Sequence, residues 1–419
     1  MEVLHQRCAG IDVHRDGVVA CARVVHGRGI ERFVETFGTT TAELERLARW
    51  LAGHGVTHAA MEATGVYWKP VWAVLAEGFE LVLANAMHVR NVPGRKTDVN
   101  DATWLADLLA HGLIRASFVP PMAIQALRDL TRTRKQLTRE KASHVARVDK
   151  LLQAANLKLG SVLSDIMGDS GRAILDALAA GESDPERLAD RVRTRIRASR
   201  ARVVEALRGR LSDHQRLLLR IHLGQADAID AAVAGIDAEL GDRLEPFREA
   251  AARSTTIPGV GALSAAVILA EIGPDMSRFP TAAHPWTQCV QAWAGLCPRN
   301  DESAGKRRST RLRQGAPWLK TLLVQTAWCA ARAKGTYLRA LFGRLKARRG
   351  PRKAIVAVAA AILTAVYRML WRGVAYADLG ADHFDRIART RLAARLARKL
   401  DELGSDVTLT PRGGVPVSS

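Results

Sequence analysis

Two aspartates stand three residues apart in the stretch GRKTDVNDATWLADLL, residues 94–109. Asp98 and Asp101 would share one face at the start of a helix, where the helix dipole favours negative charge. Taken singly, each is explained as a helix cap or a first-turn residue. As a pair, they are also a typical source of oxygen ligands for a divalent cation.

Two further carboxylates lie in apolar strand patterns. Asp12 is inside AGIDVH, and Glu62 follows THAAM. Locally, Asp12 could cap a turn and Glu62 could pair with a nearby cation, because a carboxylate in such surroundings is costly to desolvate. Four carboxylates facing one point need a multivalent cation, and hard oxygen ligands select Mg²⁺ or Mn²⁺. We therefore expect a metal site of Asp12, Glu62, Asp98 and Asp101 that can polarise a phosphodiester.

The first 117 residues alternate between strand and helix patterns. Three strands are followed by helix, strand, helix, strand and helix, at 9–14, 17–25, 31–38, 41–55, 57–65, 66–79, 80–86 and 98–111. This order predicts a mixed α/β domain of ribonuclease-H-like arrangement.

The middle of the chain carries no strand pattern. Helical periodicity runs through 123–157 and 185–224, and a third tract extends from Ala226 to about Ser254. We predict long antiparallel helices. They form either a coiled-coil arm that dimerises the protein or a plain helical bundle.

The last part of the chain opens with IPGVGALSAAVILAEIG, a Gly-x-Gly turn between two predicted helices. It resembles the start of a helix-hairpin-helix, in which the N–H groups of Gly259 and Gly261 could meet a phosphate. Packing of a tight turn explains the pattern equally well. The apolar run at 354–367 is shorter than the ~20 residues of a membrane span, so we predict a buried helix there. The fold class is thus α/β plus α, with predicted parts 1–117, 118–252, 253–377 and 378–419, the last a helix and a disordered tail.

The charge is large and unevenly placed. The formal net charge is +20, yet residues 1–117 carry 12 basic and 13 acidic side chains, whereas 303–377 carry 17 basic and no acidic ones. The expected partner is therefore a polyanion, nucleic acid before an anionic membrane surface. Five cysteines without a CxxC pair and an N-terminus without an apolar signal predict a cytoplasmic protein.

Several segments together resemble the bacterial insertion-sequence transposases of the DEDD type. They are CAGIDVHRDGVVA, MEATGVYWKPVW, NVPGRKTDVNDATWLADLLAHGLI and AWAGLCPRNDESAGKRRSTRLRQGAPWLKTLLVQTAW. The resemblance spans about 5–117 and 253–372. It implies an N-terminal domain like that of the Holliday-junction resolvase RuvC, and a separate C-terminal transposase domain. The family's carboxylate tetrad falls on the four residues named above.

The resemblance also implies a serine nucleophile in the loop NDESAGKRRST. Ser303 is the best match, although the loop departs from the commoner Ser-Ser-Gly-Gly form, and Ser309 stays a rival. Judged by the residues alone, either could be an ordinary loop serine. The resemblance implies a protein–DNA phosphoserine intermediate, in a composite site that a neighbouring subunit could complete.

Basic residues around this loop and further on are expected to contact phosphates rather than form a solvated face. They are Lys306, Arg307, Arg308, Arg311, Arg313, Arg348, Arg349, Arg352 and Lys353. Four tryptophans that interleave with basic residues either pack in the core or stack on bases.

The expected function is DNA recombination by a nucleoid-associated homodimer or homotetramer that acts on element ends and target. The resemblance adds guidance by a bridge RNA encoded at the element's own ends. Two alternatives stay open: a junction-resolving nuclease that uses water, and a non-catalytic nucleic-acid-binding protein.

Overall fold

The protein is known from a computed structural model that describes most of the chain. The described residues are 3–27, 29–63, 65–84, 101–114, 116–193, 196–277, 279, 290–297, 301–303, 306–309, 311–312 and 315–403, with only the backbone at 301–303, 306–308, 390–392, 394–395 and 399. Two compact units are present, Met1–Val119 and Pro120–Ser419. The finer predicted division of the second unit stays a prediction.

A five-stranded mixed sheet forms the centre of the first unit. Its strands are β1 (Arg7–Val13), β2 (Val18–His26), β3 (Gly29–Phe37), β4 (His58–Glu62) and β5 (Glu80–Ala84). The order across the sheet is β3-β2-β1-β4-β5. β1 pairs antiparallel with β2 and parallel with β4, which places β1 at the centre of the sheet.

Helices cover both faces of this sheet. They are α1 (Thr41–Gly53), α2 (Trp68–Leu75) and α3 (Asp101–Ala110). Successive side chains of a strand point to opposite faces. Ile11 therefore packs in a core with Leu47 of α1 and Val71 of α2, whereas Cys8 packs with Leu109 of α3. The mixed sheet and its helices fit the predicted α/β, ribonuclease-H-like class.

The second unit is mainly helical. Its helices are α4 (Met122–Ala154), α5 (Leu159–Val162), α6 (Asp169–Ala180), α7 (Pro185–Ala189), α8 (Arg200–Ala206), α9 (Asp213–Leu244), α10 (Arg248–Thr255), α11 (Ala262–Ile272), α12 (Val290–Trp293), α13 (Pro317–Ala330), α14 (Tyr337–Arg349), α15 (Pro351–Arg372) and α16 (His383–Glu402). A short 3-10 helix, Glu245–Phe247, separates α9 from α10. A two-stranded hairpin joins β6 (Asp301–Ser303) to β7 (Lys306–Ser309).

The two longest helices, α4 and α9, lie side by side and run antiparallel. Arg134 pairs with Asp237 and Lys141 with Asp230, so residue numbers rise along one helix while they fall along the other. The intervening chain forms a small bundle whose apolar core also includes Leu152 of α4 and Leu219 of α9. At the base of this bundle, the backbone N–H of Arg210 donates to the carbonyl oxygen of Ala155 at 3.2 Å. The chain therefore leaves α4 and returns towards α9 at one place.

The predicted break between two helical tracts near Gly224 is wrong, because α9 continues through this residue. Glycine inside a helix costs about 1 kcal/mol relative to alanine. Burial of Leu219 and Leu223 on the preceding turns of α9 offsets that cost. The helix begins instead after Ser212, which forms a capping box with Gln215.

One helix among the described residues, α15, is long and apolar enough to cross a membrane by length and composition. Half of its apolar window is buried inside the protein. Val358, Ile362 and Val366 are fully buried. The helix is therefore a core helix of the second unit, as its sequence predicts.

Candidate active site

Asp12 and Glu62 lie on neighbouring strands at the same end of the sheet. β1 and β4 pair in parallel with Ile11 opposite Met61, so Asp12 and Glu62 occupy the next position on each strand. Neighbouring positions of paired strands project from the same face. Glu62 is only 7% exposed, and the Asp12 side chain is 17% exposed. Two largely buried carboxylates thus share the carboxyl ends of two parallel strands.

Helix α3 lies on this face of the sheet and crosses β1 at Gly10. A Cβ atom at Gly10 would lie 2.0 Å from the carbonyl oxygen of Ala102 and 2.5 Å from the amide nitrogen of Ala106. Gly10 and Asp12 are two residues apart and therefore face the same way. Asp101 is the first residue of α3 and directly precedes Ala102. The fold thus brings the start of this helix to the face that carries Asp12 and Glu62.

The full four-carboxylate cluster is not visible in the described part of the chain. Asp98 lies outside the described residues. Among the described ones, no three histidine, cysteine, aspartate or glutamate side chains are grouped closely enough to hold a metal ion. Oδ2 of Asp12 lies 3.2 Å from Nε2 of His14, an exposed side chain of the β1–β2 turn. The structure thus gives three of the predicted ligand positions a common face, and their metal binding stays a prediction.

An ion-pair network that sequence reasoning missed fixes α3 to the sheet. Arg23 on β2 is 1% exposed, and its Nε donates to Oδ1 of Asp107 on α3 at 2.9 Å. Nη2 of Arg32 on β3 donates to the same carboxylate at 3.0 Å. A buried charge is tolerated only when it is paired in this way. The network holds α3, and with it Asp101, at one position along the strands.

Two signals in the sequence could have revealed this contact. Gly10 interrupts an apolar strand, and glycine at such a position often marks close approach of another backbone. Arg23 interrupts the nearly continuous apolar strand VVACARVVH, where a charge requires a partner. Neither signal identifies the partner helix, because Asp107 is more than eighty positions along the chain.

The β6–β7 hairpin separates the two candidate nucleophiles. Ser303 is opposite Lys306 at the turn end of the hairpin, whereas Ser309 is opposite Asp301 at its open end. Oγ of Ser309 accepts a hydrogen bond from the backbone N–H of Arg311 at 3.2 Å. Such a local bond is typical of a serine that stabilises a turn. The Ser303 side chain lies outside what the structure describes.

Four of the predicted phosphate contacts form an exposed basic corner, which consists of Arg348, Arg349, Arg352 and Lys353. Here α14 ends and α15 begins, around Gly350 with a φ of 77°. Positive side chains in the first turn of a helix oppose the helix dipole. Arg352 and Lys353 therefore do not stabilise the start of α15, which favours a role in binding an anion.

The other predicted phosphate contacts are only partly described. Arg311 is exposed. The side chains of Lys306, Arg307 and Arg308, and all of Arg313, lie outside the described part of the chain.

The Gly-x-Gly turn joins α10 to α11, and its two glycines lie in different surroundings. Gly259 has a φ of 87°, and a Cβ there would lie 2.6 Å from the backbone nitrogen of Ala330. This close approach to α13 gives Gly259 a packing role. Gly261 is exposed, with open space around its Cβ position, and caps the start of α11. Its N–H group is thus the more accessible of the two to a phosphate.

Comparison with known families settles the relationship. Residues 9–156 match the DEDD transposase model of the IS110 group, described as "Transposase". Residues 251–342 match a second model, "Transposase IS116/IS110/IS902 family". Two separate parts of the chain thus match the same family, and the two matches together cover more than half of it. The chain belongs to the IS110 family of transposases. A search of curated proteins finds no match.

Membership makes the protein a transposase and therefore an enzyme that acts on DNA. The DEDD domain implies a divalent metal ion. The residues of the first unit fit such an ion, because Asp12, Glu62 and Asp101 offer carboxylate oxygens, the hard donors that Mg²⁺ and Mn²⁺ prefer. The first family match extends past the first unit of the transposase into α4.

Proposed function

We propose that this transposase cuts and rejoins the DNA strands of an insertion sequence with a metal site of Asp12, Glu62, Asp98 and Asp101 and the nucleophile Ser303. The supporting observation is the common sheet face shared by Asp12, Glu62 and the first turn of α3. A bound Mg²⁺ or Mn²⁺ would neutralise charge on the scissile phosphate and on the attacking and leaving oxygens.

The protein's own groups take complementary parts in this chemistry. The carboxylates would hold the metal ion, and Glu62 would do so from a largely buried position. The hydroxyl oxygen of Ser303 attacks phosphorus, so that a serine–phosphate ester forms while the bond to one deoxyribose oxygen breaks. The free hydroxyl of another strand then displaces serine and restores a phosphodiester. No ATP is needed, because each ester bond that breaks is replaced by another.

Nucleic-acid binding is assigned to the basic residues of the second unit. The exposed corner around Gly350 and Arg311 would contact phosphates, together with Lys306, Arg307, Arg308 and Arg313 of the hairpin region. The helix-hairpin-helix-like turn would add the N–H group of Gly261, with Gly259 shaping the turn. Counterion release should make this binding fall steeply with salt.

The partners and assembly follow from the family resemblance and from charge. We infer that the transposase binds the element's ends and its target DNA, and a structured guide RNA encoded by the element. We also infer a homodimer or homotetramer in the cytoplasm, associated with the nucleoid. The paired helices α4 and α9 are the candidate coiled-coil arm for that assembly.

The test of the catalytic proposal is a trapped covalent adduct. The full-length protein is incubated with Mg²⁺ and labelled DNA that flanks its gene, quenched with denaturant, and analysed for DNA bound to protein. We expect an adduct with the wild type, and none with Ser303→Ala, Glu62→Gln or EDTA. The matched control Ser309→Ala should form the adduct normally.

The alternatives give different patterns. Loss of the adduct in Ser309→Ala but not in Ser303→Ala would transfer the nucleophile to Ser309. Metal-dependent cleavage without an adduct in any variant would favour a nuclease that uses water. Binding without cleavage, unchanged in Asp101→Asn, would identify a non-catalytic protein and overturn the proposal.

A further inference from the structure

A cavity of about 230 Å³ lies within the second unit, between helices α4, α11 and α13. None of the residues lining it belongs to the nucleic-acid surface proposed above. Typical small-molecule pockets measure roughly 300–1,000 Å³. This cavity is therefore suited to one flat group, such as a single base, rather than to a whole dinucleotide.

The α4 wall of the cavity supplies four cations, of which two are neutralised. Arg132 forms two hydrogen bonds to the carboxylate of Glu271, a residue with no exposed surface, at 2.8 and 2.9 Å. Arg134 pairs in the same two-pronged manner with Asp237. These pairs hold both guanidinium groups in place against carboxylates, so neither is free to bind a ligand phosphate.

The other two cations, Lys135 and Arg139, are paired with no carboxylate in the described part of the chain. They lie four residues apart on α4 and therefore on one face of the helix. Arg139 is exposed, and Lys135 is half-buried at the cavity. Their uncompensated charges would attract a phosphate to the rim of the cavity.

An aromatic ring and apolar side chains form the opposite walls. Trp318 is the second residue of α13, and the centre of its ring lies 5.8 Å from the Arg132 guanidinium and 5.3 Å from that of Arg139. Leu263 of α11 lines the cavity and is 40% exposed, so its side chain is accessible to a ligand there. Stacking on an aromatic side chain and salt links to the backbone are how proteins hold single-stranded nucleic acid.

We propose that this cavity binds one unstacked nucleotide of a single-stranded nucleic acid, with its base against Trp318 and its phosphates on Lys135 and Arg139. Arg139 has no carboxylate to hold it over the indole ring, so an arriving phosphate can draw it aside and open the ring to a base. RNA and DNA share this chemistry, and an experiment with both identifies the strand.

The experiment uses the full-length protein and a short single strand of about six nucleotides with one photoreactive thio-base, made as RNA and as DNA. EDTA prevents strand cleavage, so failure here would leave the proposed metal chemistry untouched. Crosslinked peptides are mapped by mass spectrometry. A crosslink at Trp318 or Leu263 with either strand supports the proposal. Crosslinks that map only elsewhere with both strands overturn it.

Binding of the same strand by the variants gives a second readout. Trp318→Leu should weaken binding by roughly five- to a hundredfold, while Trp318→Phe keeps most of it because the ring is retained. Trp328→Leu is the matched control on the same helix; Trp328 packs on Phe342 outside the cavity, and its loss should change binding by less than about twofold. Equal effects of Trp318→Leu and Trp328→Leu on folded proteins would overturn the assignment.

The phosphate contacts are tested by salt dependence. The logarithm of the binding constant falls linearly with the logarithm of the salt concentration. The double change Lys135→Gln/Arg139→Gln should make this slope less steep by about 1.4, since each single-strand phosphate contact contributes about 0.7. The control Arg147→Gln/Lys150→Gln removes the same charge further along the same helix and should leave the slope unchanged. If both double variants reduce the steepness of the slope equally, Lys135 and Arg139 do not bind phosphates specifically and the assignment is overturned.

Discussion

The substitution Gly10→Ala would test whether the position of α3 determines activity. The added methyl group would lie 2.0 Å from the carbonyl oxygen of Ala102, whereas ordinary contact begins at 3.4 Å. The obstacle is helix backbone, so it cannot turn aside as a side chain could. The helix start must therefore recede from β1 by about 1.4 Å, and Asp101 moves away from Asp12 with it. Misplacement by about 1 Å can cost a hundredfold in rate, while overpacking costs about 1–3 kcal/mol of stability.

We expect Gly10→Ala to lower the recombination rate by roughly a hundredfold or more. DNA binding should stay within about twofold, because the basic surface lies on the second unit. Recombination is measured on a plasmid that carries the DNA flanking the gene, and stability by urea unfolding. Gly17→Ala is the matched control, since its methyl group would meet only the Phe37 carbonyl oxygen at 3.8 Å. A folded Gly10→Ala protein with wild-type activity would refute the argument that α3 positions a catalytic carboxylate.

Three further predictions concern burial and backbone geometry. Arg23→Met should lower the free energy of unfolding by about 1–3 kcal/mol in urea titrations. This loss is smaller than that expected on breaking a fully buried ion pair, because Arg32 still binds Asp107. An unchanged unfolding midpoint would contradict the anchoring role of Arg23. Burial raises the pKa of the Cys8 thiol to about 11. Iodoacetamide at pH 8 should therefore modify exposed Cys329 well before Cys8, and stability should fall as pH rises from about 9 towards 11, because only the unfolded thiol ionises there; early labelling of Cys8 would exclude the buried position. Gly259→Ala should destabilise the second unit by more than about 1 kcal/mol, since φ is positive and α13 is in contact, whereas Gly261→Ala should be nearly neutral; equal thermal midpoints would refute the packing role.

The order of elements in the first unit was predictable because alternating and helical patterns report local burial. Asp12 and Glu62 were recognisable for the same reason, as charges at positions that the pattern makes buried. The anchoring of α3 was not predictable, because it depends on Gly10 touching a helix that begins about ninety residues later. Patterns in sequence show that a residue is buried, but not what it touches.

The second unit shows the same limit. Its helices were predictable, yet the break placed at Gly224 was wrong because burial of the neighbouring leucines outweighs a weak local preference. The cavity of α4, α11 and α13 was hidden because its walls come from three distant segments, around Arg132, Leu263 and Trp318. Ser303 was the better family match and Ser309 its rival, and the hydrogen bond that Ser309 accepts from Arg311 could not be read from the sequence, because it depends on the folded hairpin.

The backbone hydrogen bond between Arg210 and Ala155 bears on which segments of this protein can be replaced. Because the chain departs and comes back at adjacent points, the small bundle can be exchanged as one module together with the last turns of α4 and the first turns of α9, which share its core. A short loop could then join the shortened helices, and the ion pairs Arg134–Asp237 and Lys141–Asp230 would keep their register. Evolution or protein engineering could therefore replace this bundle without disturbing the sheet face that carries Asp12 and Glu62 or the basic helices of the second unit.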